Sequence, residues 1–390
     1  MPPVFVDLPS APIAPVQEQA FSAGVGLPTV ASGFDAERNL IRGIPVANSS
    51  APDVVGAFRF VCGGEGQLSN DDPILYPSQP GRSHLHQYYG NLEANAHSTY
   101  QSLRASGKST CNWSETPGNR SGYWMPAMLD GHGHAVRPDA VSIYYKRRPI
   151  SDPACADRKG MHEGKCVPLP NGLRFIFGWD PVNPASTPTG AAYFDCTGPT
   201  AKPGHYANLR EAAAACPFDP SMPADQQNQL GAVINAPMCW DGKNLDSADH
   251  RSHVGYPVLD HNFGKWKCDA AHPYVIPAFT MGAWYTVDAN VGLWRLSSDS
   301  MAPGAVPGST FHADWFGAWD EKIMATWMDH CINKLLTCAG GNLGNGTMMD
   351  GAAVPTYGWR QPIAKRLVPL SSIPTTLPNG MPRAGHGDRD

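Results

Sequence analysis

The chain has little charge and no cluster of positive charge. Asp, Glu, Lys and Arg make up 16% of its 390 residues, against about 25% in typical soluble domains. Acidic residues outnumber basic residues by 34 to 29, so the formal net charge is −5. Because nucleic-acid binding depends on clustered Lys and Arg, the sequence argues against a nucleic-acid partner. No apolar run approaches about 18 residues, so the sequence also predicts no membrane span.

The motifs of several enzyme classes are missing as well. The chain contains no GxSxG, HExxH, P-loop or Rossmann fingerprint, which disfavours nucleophile-elbow esterases, zincin proteases and nucleotide-dependent enzymes. No CxxC pair occurs, which disfavours a zinc ribbon or a thioredoxin-like redox site. No carboxylate pair for glycoside hydrolysis stands out, although Asp249 and Asp314 are candidates.

Glycine, proline and cysteine are abundant where charge is scarce. The 40 glycines and 38 prolines form about a fifth of the chain, above the usual ~12%, and predict many turns and few long helices. Ten cysteines in such a chain indicate an oxidising compartment, and their even number permits five disulfides. The spacings favour bridges between neighbours in sequence, namely Cys155–Cys166, Cys196–Cys216, Cys239–Cys268 and Cys331–Cys338, which leaves Cys62–Cys111.

These cysteines predict a secreted, extracellular protein. The first ten residues, MPPVFVDLPS, have neither the basic segment nor the apolar core of a signal peptide. We therefore expect a secreted form from which the signal has been removed.

Short apolar segments predict a mainly β protein. Strand patterns bounded by Gly and Pro lie at 57–62, 141–147, 173–179, 274–279, 284–287 and 293–297. Two helices are predicted at 206–216 and 320–336, the second from a 3.6-residue apolar stripe. We expect one β-sandwich or jelly-roll-like domain over 56–376, with long disulfide-tied loops, a few helices and an inserted loop near 150–168. Residues 1–55 form a Pro/Ala/Ser-rich lead-in, and we expect the tail at 377–390 to be disordered.

The first candidate site is the segment PGRSHLHQYYGN at 80–91. On a strand, residues two apart share a face, so His84, His86 and Tyr88 would lie side by side. Two imidazoles on one face suit a transition metal, and they equally suit proton transfer with a tyrosine as acid. The structural alternative is a hydrogen-bonded pair of histidines in a polar core.

A second polar and aromatic segment, STYQSLRASG at 98–107, contains a single cation, Arg104. Its planar guanidinium can bind a carboxylate of a substrate or orient a tyrosine. An arginine that pairs with a structural acidic residue is an equally good interpretation.

The third segment, CWDGKNLDSADHRSH at 239–253, concentrates carboxylates, amides and imidazoles. Its Asp, Asn, Asp spacing is similar to that of a calcium loop, but the required Gly and terminal Glu are missing, which disfavours calcium. Asp249 is a candidate acid–base group, and His253 or His250 is a candidate to complete a cluster with His84 and His86. A loop held by side-chain-to-backbone hydrogen bonds is an equal alternative.

The fourth segment is FHADWFGAWD at 311–320. His312 and Asp314 share a face if the chain is extended, and a nearby carboxylate would orient the imidazole and raise its basicity. Trp315 and Trp319 are candidates to stack on sugar rings. Core packing is the alternative, and we favour it for Trp319.

The order of these segments resembles one family. It runs VCGG, PGRSHLHQYYGN, STYQSLRASGKSTCNW, YWMPAMLDG, GLRFIFG, CWDGKNLDSADHRSHVGYP and HADWFGAWD, over about 57–337. This is similar to the secreted fungal and bacterial family called domain of unknown function nineteen ninety-six. The resemblance implies secretion and an association with cell-wall or carbohydrate-binding proteins, but no agreed activity. Among the positions that match the family's recurring residues are Asn91, Tyr100 and Lys146.

We therefore hypothesise a secreted protein that acts on extracellular or cell-wall polysaccharide. One chemistry is a lyase or hydrolase with a His/Tyr/Arg acid–base site, and the other uses a divalent transition metal, zinc or copper. The candidate catalytic residues are His84, His86, Tyr88, Arg104, Asp249, His253, His312 and Asp314. The candidate substrate-binding residues are Asn91, Tyr100, Lys146 and Trp315, and the candidate metal ligands are His84, His86 and His253. The alternatives are a non-catalytic glycan-binding protein with structural histidines and a disulfide-rich structural protein.

A cost argument predicts that the histidines converge. A buried imidazole that lacks partners for its ring nitrogens costs about 1–3 kcal/mol. One shared polar pocket satisfies several imidazoles together, whereas scattered histidines each need a separate set of partners. We therefore expect at least three of His84, His86, His253 and His312 to lie within about 10 Å of one another, around a cavity that solvent reaches.

Overall fold

The computed structural model describes residues 35–50, 55–105, 107–111, 118–349, 360–361 and 363–373. Its strands are β1 Leu40–Arg42, β2 Gly56–Gly63, β3 Leu68–Ser69, β4 His86–Gly90, β5 Gly122–Pro126, β6 Met128–Leu129, β7 His134–Val136, β8 Ala140–Arg147, β9 Lys165–Cys166, β10 Arg174–Gly178, β11 Ala192–Thr197, β12 Gln229–Asn235, β13 Cys239–Trp240, β14 Val254–Gly255, β15 Val258–Asp260, β16 Lys265–Lys267, β17 Tyr274–Val275, β18 Ala278–Thr286, β19 Arg295–Leu296, β20 His312–Phe316, β21 Thr337–Cys338, β22 Thr347–Met349 and β23 Leu367–Pro369. The α-helices are α1 Tyr100–Ala105, α2 Leu209–Ala215, α3 Glu321–Trp327 and α4 Ile363–Arg366. The predicted mainly β class with few helices is confirmed.

Two packed sheets form the centre of the fold. One has five strands in the order β10-β20-β5-β4-β3, and the other has six in the order β11-β12-β18-β8-β2-β21. Because side chains alternate along a strand, one set from each sheet points between the two sheets. Ile143 and Tyr145 of β8 thus share one apolar cluster with Tyr123 of β5 and Trp315 of β20. The predicted sandwich is confirmed.

The five-stranded sheet also has a covered outer face. Tyr88, Trp124 and Phe316 point away from the main core and form a second apolar cluster with residues of α1. His86 and Asp314 lie on the same outer face, because each is two residues from Tyr88 or Phe316 in its strand. The polar site described below therefore lies on the side of the sheet opposite the sandwich core.

All five disulfides predicted from the spacings are present. They are Cys62–Cys111, Cys155–Cys166, Cys196–Cys216, Cys239–Cys268 and Cys331–Cys338. None of the ten cysteines is left as a thiol. One bridge closes the predicted loop 150–168, within which β9 pairs with β17. This pattern agrees with folding in an oxidising compartment.

Most predicted strands are found, with shifted ends. The segments 57–62, 141–147 and 173–179 correspond to β2, β8 and β10, and 284–287 falls at the end of β18. The segment 274–279 is divided between β17 and β18, since Pro277 cannot donate a ladder hydrogen bond. Within 293–297 only the two-residue β19 is a strand.

Both predicted helices are present but shorter than expected. Asn208 caps α2 and Asp320 caps α3, each accepting hydrogen bonds from backbone N–H groups of the first turn. Beyond α3 the predicted helix widens into a π turn at Met328–Ile332. The helical course ends near Leu335, whose φ of 57° is left-handed.

Part of the predicted lead-in is folded onto the domain. Strand β1 pairs with β22, and Asn48 forms an isolated bridge with Leu336. Residues 1–34 and the predicted tail 377–390 lie outside the described residues, so the domain boundaries stay predictions. In the part of the chain that the structure describes, no helix has the length and apolar character needed to cross a bilayer.

Candidate metal centre

Neighbouring strands bring distant residues together on the outer face. Strands β4 and β20 both pair with β5, so Trp124 lies between Tyr88 on one side and Asp314 on the other. Pro126, two residues further along β5, is paired with His86. His312 precedes Asp314 by two residues and therefore shares its face. The sheet register thus brings the segments 80–91 and 311–320, predicted as separate candidate sites, onto one face.

His84, His86 and His312 form a tight cluster on this face. The ring centroids of His84 and His86 are 4.1 Å apart, and those of His84 and His312 are 5.1 Å apart. One ring nitrogen from each of the three lies within 4.8 Å of the others. The predicted convergence of at least three histidines is confirmed, with His312 as the third member. The structure does not bring His253 into this cluster.

Each of the three imidazoles is held by a hydrogen bond at Nδ1. Nδ1 of His86 lies 3.2 Å from the carbonyl oxygen of Asp71, and Nδ1 of His312 lies 2.9 Å from that of Thr310. A carbonyl only accepts, so both Nδ1 atoms carry the proton. Nδ1 of His84 lies 3.0 Å from Oγ of Ser297, whose own proton is donated to a carbonyl. All three Nε2 atoms therefore present lone pairs.

The spacing of two of these Nε2 atoms matches a shared cation. Those of His84 and His312 are 3.2 Å apart, and two lone pairs that face each other at this distance repel. Zinc binds imidazole nitrogen at about 2.0–2.1 Å, so tetrahedral ligand nitrogens are separated by about 3.3 Å. Outer hydrogen bonds at Nδ1 are also the usual way in which a protein orients metal-binding histidines.

Two buried carboxylates complete the cluster. Asp72, His86 and Asp314 also offer ligand atoms within 4.8 Å of one another. Oδ1 of Asp72 accepts hydrogen bonds from the backbone N–H groups of Ile74 and Leu75. Asp314 is 1% exposed, and neither of its carboxylate oxygens has a hydrogen-bond partner among the described residues. Burying such a group is costly unless it is protonated or a cation neutralises it.

Burial governs the protonation states of the cluster. It lowers the pKa of His86 well below its ordinary value and that of His312 to about 3, and the neighbouring imidazoles add to the effect. Burial also raises the pKa of Asp72 to about 6, and it raises the pKa of Asp314 well above its ordinary value, helped by the charge of Asp72. Neutral imidazoles are the form that binds a metal, and binding would release protons from the carboxyl groups.

An open cavity of about 550 Å³ leads to the cluster. This volume is within the usual range of small-molecule sites. The cluster residues in its lining are Asp72, His84, His312 and Asp314. Tyr76 and Trp179 contribute aromatic side chains, and Val182 is 91% exposed beside them. Solvent and a ligand can therefore reach the cluster from the side of His84, His312 and Asp314.

The loop of the third predicted segment also lines this cavity, through Asp249, His250 and Arg251. Arg251 donates through Nη2 to the carbonyl oxygen of Trp179 at 3.0 Å. Burial favours the neutral form of Asp249, but hydrogen bonds from Ser252 and other loop residues outweigh it and lower the pKa of this carboxyl. Asp249 is thus an ionised acceptor that shapes the loop, which is the structural alternative for this residue.

The second predicted segment forms a separate cluster. Nη2 of Arg104 lies 2.8 Å from Oε2 of Glu321, and the hydroxyl of Tyr100 donates to Oε1 of the same carboxylate at 3.0 Å. Asn91 donates to the carbonyl oxygen of Leu103 and so ties α1 to the end of β4. The predicted residues Asn91, Tyr100 and Arg104 are not among those that line the cavity, and they pack α1 against the domain.

Two more predicted residues have their polar atoms occupied by hydrogen bonds and do not line the cavity. His253 has both ring nitrogens occupied, Nδ1 by the Ser247 hydroxyl at 2.8 Å and Nε2 by the Arg174 carbonyl at 2.9 Å. Because Nε2 faces a carbonyl, it carries a proton and has no lone pair for a metal. The hydroxyl of Tyr88 donates to the carbonyl oxygen of Asp71 at 2.6 Å, the same oxygen that contacts Nδ1 of His86.

The structure places the predicted sugar-binding residues Trp315 and Lys146 elsewhere. Trp315 is 1% exposed and packs between Phe175 and Phe279 in the sandwich core, so it has no face for a sugar ring. Lys146 lies on β8 of the other sheet, 5.5 Å from the ring of Tyr144. The aromatic residue that does line the cavity is Trp179.

Sequence reasoning missed Asp72 and Trp179 and left His250 out of the candidate catalytic set. Asp72 precedes His84 by twelve positions in an acidic turn, SNDDP, where no motif or spacing marks it as a site residue. The i,i+4 spacing of Asp246 and His250 was the one usable signal, since it suits an ion pair within a turn.

The fold and the site together define a disulfide-bonded β protein with a buried His/Asp cluster beneath an open cavity. Residues 72–319 match the family described as Domain of unknown function (DUF1996), which covers well over half of the chain. The chain belongs to this family, and the matched segment contains every member of the cluster. Comparison with curated proteins found no match. Comparison with solved structures found none either.

Proposed function

We propose that the protein is a secreted, metal-dependent hydrolase of extracellular polysaccharide. The observation that carries the proposal is the convergence of three Nε2 lone pairs, from His84, His86 and His312, beside the unpaired carboxylate of Asp314. A transition metal such as zinc, bound there, would lower the pKa of a bound water to about 7 and supply a hydroxide nucleophile. The five disulfides support an extracellular location.

The chain's own residues prepare this chemistry. The Nδ1 hydrogen bonds fix the three rings before the metal arrives, so little ordering is needed on binding. The carboxylate of Asp314 adds negative charge and selects a cation over a neutral ligand. Burial of the cluster excludes bulk water from all sides except the cavity.

Support for a carbohydrate comes from the cavity lining. Trp179 and Tyr76 contribute aromatic rings to the lining, and Asp180, Asn183 and Arg82 contribute polar groups. Rings that stack on the apolar face of a sugar, flanked by groups that bind its hydroxyls, are the expected chemistry of such a site. The association with cell-wall proteins that the family resemblance implies points the same way.

The first experiment measures metal binding. We expect one zinc per chain in protein that has been stripped with a chelator and titrated with zinc in a calorimeter. The double variant His84→Ala/His86→Ala should stay folded and bind none. A matched control is His132→Ala/His134→Ala, which removes another H-x-H pair that lies outside the cavity lining. Protein that carries no metal, and gains none on titration with zinc or copper, would exclude the metal-dependent mechanism.

The second experiment tests the reaction. Zinc-loaded protein is incubated with a panel of cell-wall polysaccharides, and the products are analysed by mass spectrometry. Hydrolysis adds one water per bond broken, whereas a lyase leaves an unsaturated sugar that absorbs ultraviolet light. Binding without cleavage would instead support the non-catalytic glycan-binding alternative.

One observation favours a second candidate function. The carboxyl groups of Asp72 and Asp314 lie close together, and burial raises the pKa of both. Such a pair suits acid–base cleavage of a glycosidic bond without a metal. Activity that survives complete removal of metal by a chelator, and is lost in Asp314→Asn, would select this function over the metal-dependent one.

A further inference from the structure

Besides His84 and His312, one further histidine lines the cavity, and it does not belong to the cluster. His250 is 7% exposed, and its Nδ1 lies 2.8 Å from Oδ1 of Asp246. Oδ2 of Asp246 accepts from Nε of Arg174 at 2.6 Å. Burial alone would raise the pKa of the Asp246 carboxyl, but the hydrogen bonds from His250 and Arg174 outweigh it and lower that pKa. An ionised Asp246 keeps a proton on Nδ1 and leaves the lone pair of His250 on Nε2.

The backbone holds His250 in an unusual conformation. Its φ of 56° is left-handed, which is uncommon for a residue with a side chain. The carbonyl oxygen of His250 accepts from the N–H of Ile176 at 2.9 Å, and its own N–H donates to the carbonyl oxygen of Ser247 at 2.9 Å. The loop is therefore fixed to β10, and this combination of strain and support is typical of functional positions.

The pair of Asp269 and His272 serves as a structural comparison for the pair of Asp246 and His250. Nδ1 of His272 lies 2.9 Å from Oδ1 of Asp269, and its Nε2 lies 2.8 Å from the carbonyl oxygen of Ser252. Both nitrogens are occupied, and His272 is not among the residues that line the cavity. For His250, no hydrogen-bond partner of Nε2 is found among the described residues, and the side chain lines the cavity together with Asp72.

We propose that His250 is the proton-transfer residue of this cavity and that Asp246 is its positioning residue. The inference rests on the proposed metal-dependent hydrolysis. Nε2 of His250 takes a proton from the attacking water as the water oxygen bonds to the scissile carbon and the bond from that carbon to the leaving oxygen breaks with its electron pair. The same nitrogen then gives that proton to the leaving oxygen. The net change is the addition of one water, so neither an oxidant nor a reductant is needed.

The test uses diethyl pyrocarbonate, which acylates an unprotonated and accessible imidazole nitrogen, on zinc-loaded full-length protein. Labelled positions are mapped by peptide mass spectrometry over time. We expect His250 to react at least tenfold faster than His272, which is similarly buried and also paired with an aspartate. The variant Asp246→Asn should slow labelling of His250 severalfold and leave His272 unchanged. The variant His250→Gln should retain one zinc per chain.

The outcomes separate the two proposals. Labelling of His250 no faster than that of His272, with zinc bound, would overturn the role of His250, and so would loss of zinc in His250→Gln. Labelling of His84, His86 and His312 that is equally fast with and without added zinc would instead overturn the metal centre. On an active polysaccharide, we expect His250→Gln to lower kcat at least 100-fold with KM changed less than threefold, and His272→Gln to leave both unchanged.

Discussion

Two polar clusters border the same outer-face apolar cluster of the five-stranded sheet, and their hydrogen-bonding patterns are opposite. In one, Arg104 and Tyr100 both contact the carboxylate of Glu321, so charge meets opposite charge. In the other, the lone pairs of His84 and His312 face each other, and Asp314 has no donor among the described residues. The first arrangement pairs its charges within the fold, whereas in the second a bound cation would offset the facing lone pairs and the unpartnered carboxylate.

This difference in hydrogen bonding distinguishes the two clusters better than residue type does. An arginine beside a tyrosine suggested a substrate clamp, but its partners lie within the fold. The histidines suggested either a metal site or a polar core, and the fixed Nδ1 bonds with converging Nε2 lone pairs favour the metal. Each cluster can be altered by substitution while the other cluster serves as its control.

The largest expected effect is on metal affinity. His312→Ala removes one of the three converging nitrogens, and we expect zinc affinity to fall at least 1,000-fold, about 4 kcal/mol. Glu321→Ala, in the other cluster, should leave zinc affinity unchanged. Calorimetric titration of both variants measures this, and a His312→Ala protein that binds zinc within tenfold of the unmodified chain would contradict the assignment.

The second effect is on stability. Arg104 is 2% exposed, and Arg104→Met leaves Glu321 without its main cation, which we expect to cost about 2–3 kcal/mol of the free energy of unfolding. Lys322→Met breaks an exposed ion pair with Glu37 and should have little effect. Denaturant unfolding of the zinc-free proteins gives both values. Equal stabilities for the two variants would remove the distinction between the clusters.

Asp314→Asn should change stability and metal binding in opposite directions. The folded-state pKa of Asp314 is raised above its unfolded value, so this group loses stabilisation as pH rises above the unfolded pKa. At pH 8 we expect the zinc-free variant to be about 1–2 kcal/mol more stable than the unmodified chain. Its zinc affinity should be lower. Thermal unfolding with and without zinc checks both signs, and destabilisation of the zinc-free variant would show that Asp314 is satisfied as it stands.

The smallest expected effect concerns His253. Burial lowers the pKa of His253 in the folded state below its value in the unfolded chain. At pH values below the unfolded pKa the unfolded chain therefore binds more protons than the folded protein, and the free energy of unfolding decreases as the pH is lowered. In the zinc-free protein, His253→Gln should reduce the loss between pH 6.5 and 5.5 by about 1 kcal/mol at most. His97→Gln, at an exposed site, is the control. Unfolding curves at the two pH values measure the difference, and parallel losses in all three proteins would argue against it.

Much of the fold was predictable because it depends on local pattern. The bridges between nearby cysteines and the strands β2, β8 and β10 followed from spacing and alternation. The shared face of His86 and Tyr88 followed from strand geometry alone. The prediction that His253 joins the cluster was wrong. The alternation of side chains shows which residues share a face of a strand, but it does not show the direction of side chains in a loop. In that loop His253 points to a backbone carbonyl and His250 to the cavity.

Three features follow from the amino-acid sequence alone: which residues share a face of a strand, the even number of cysteines and the low content of charge. The first depends on a few neighbouring residues, and the other two depend on composition alone. The position of β4 and β20 on either side of β5 depends on the tertiary structure, because burial of two apolar faces favours one strand order among many. This strand order brings His84 next to His312, 228 positions away in the sequence. The same long-range packing decides that Arg104 meets Glu321, and that the lone pairs of three histidines meet at one point.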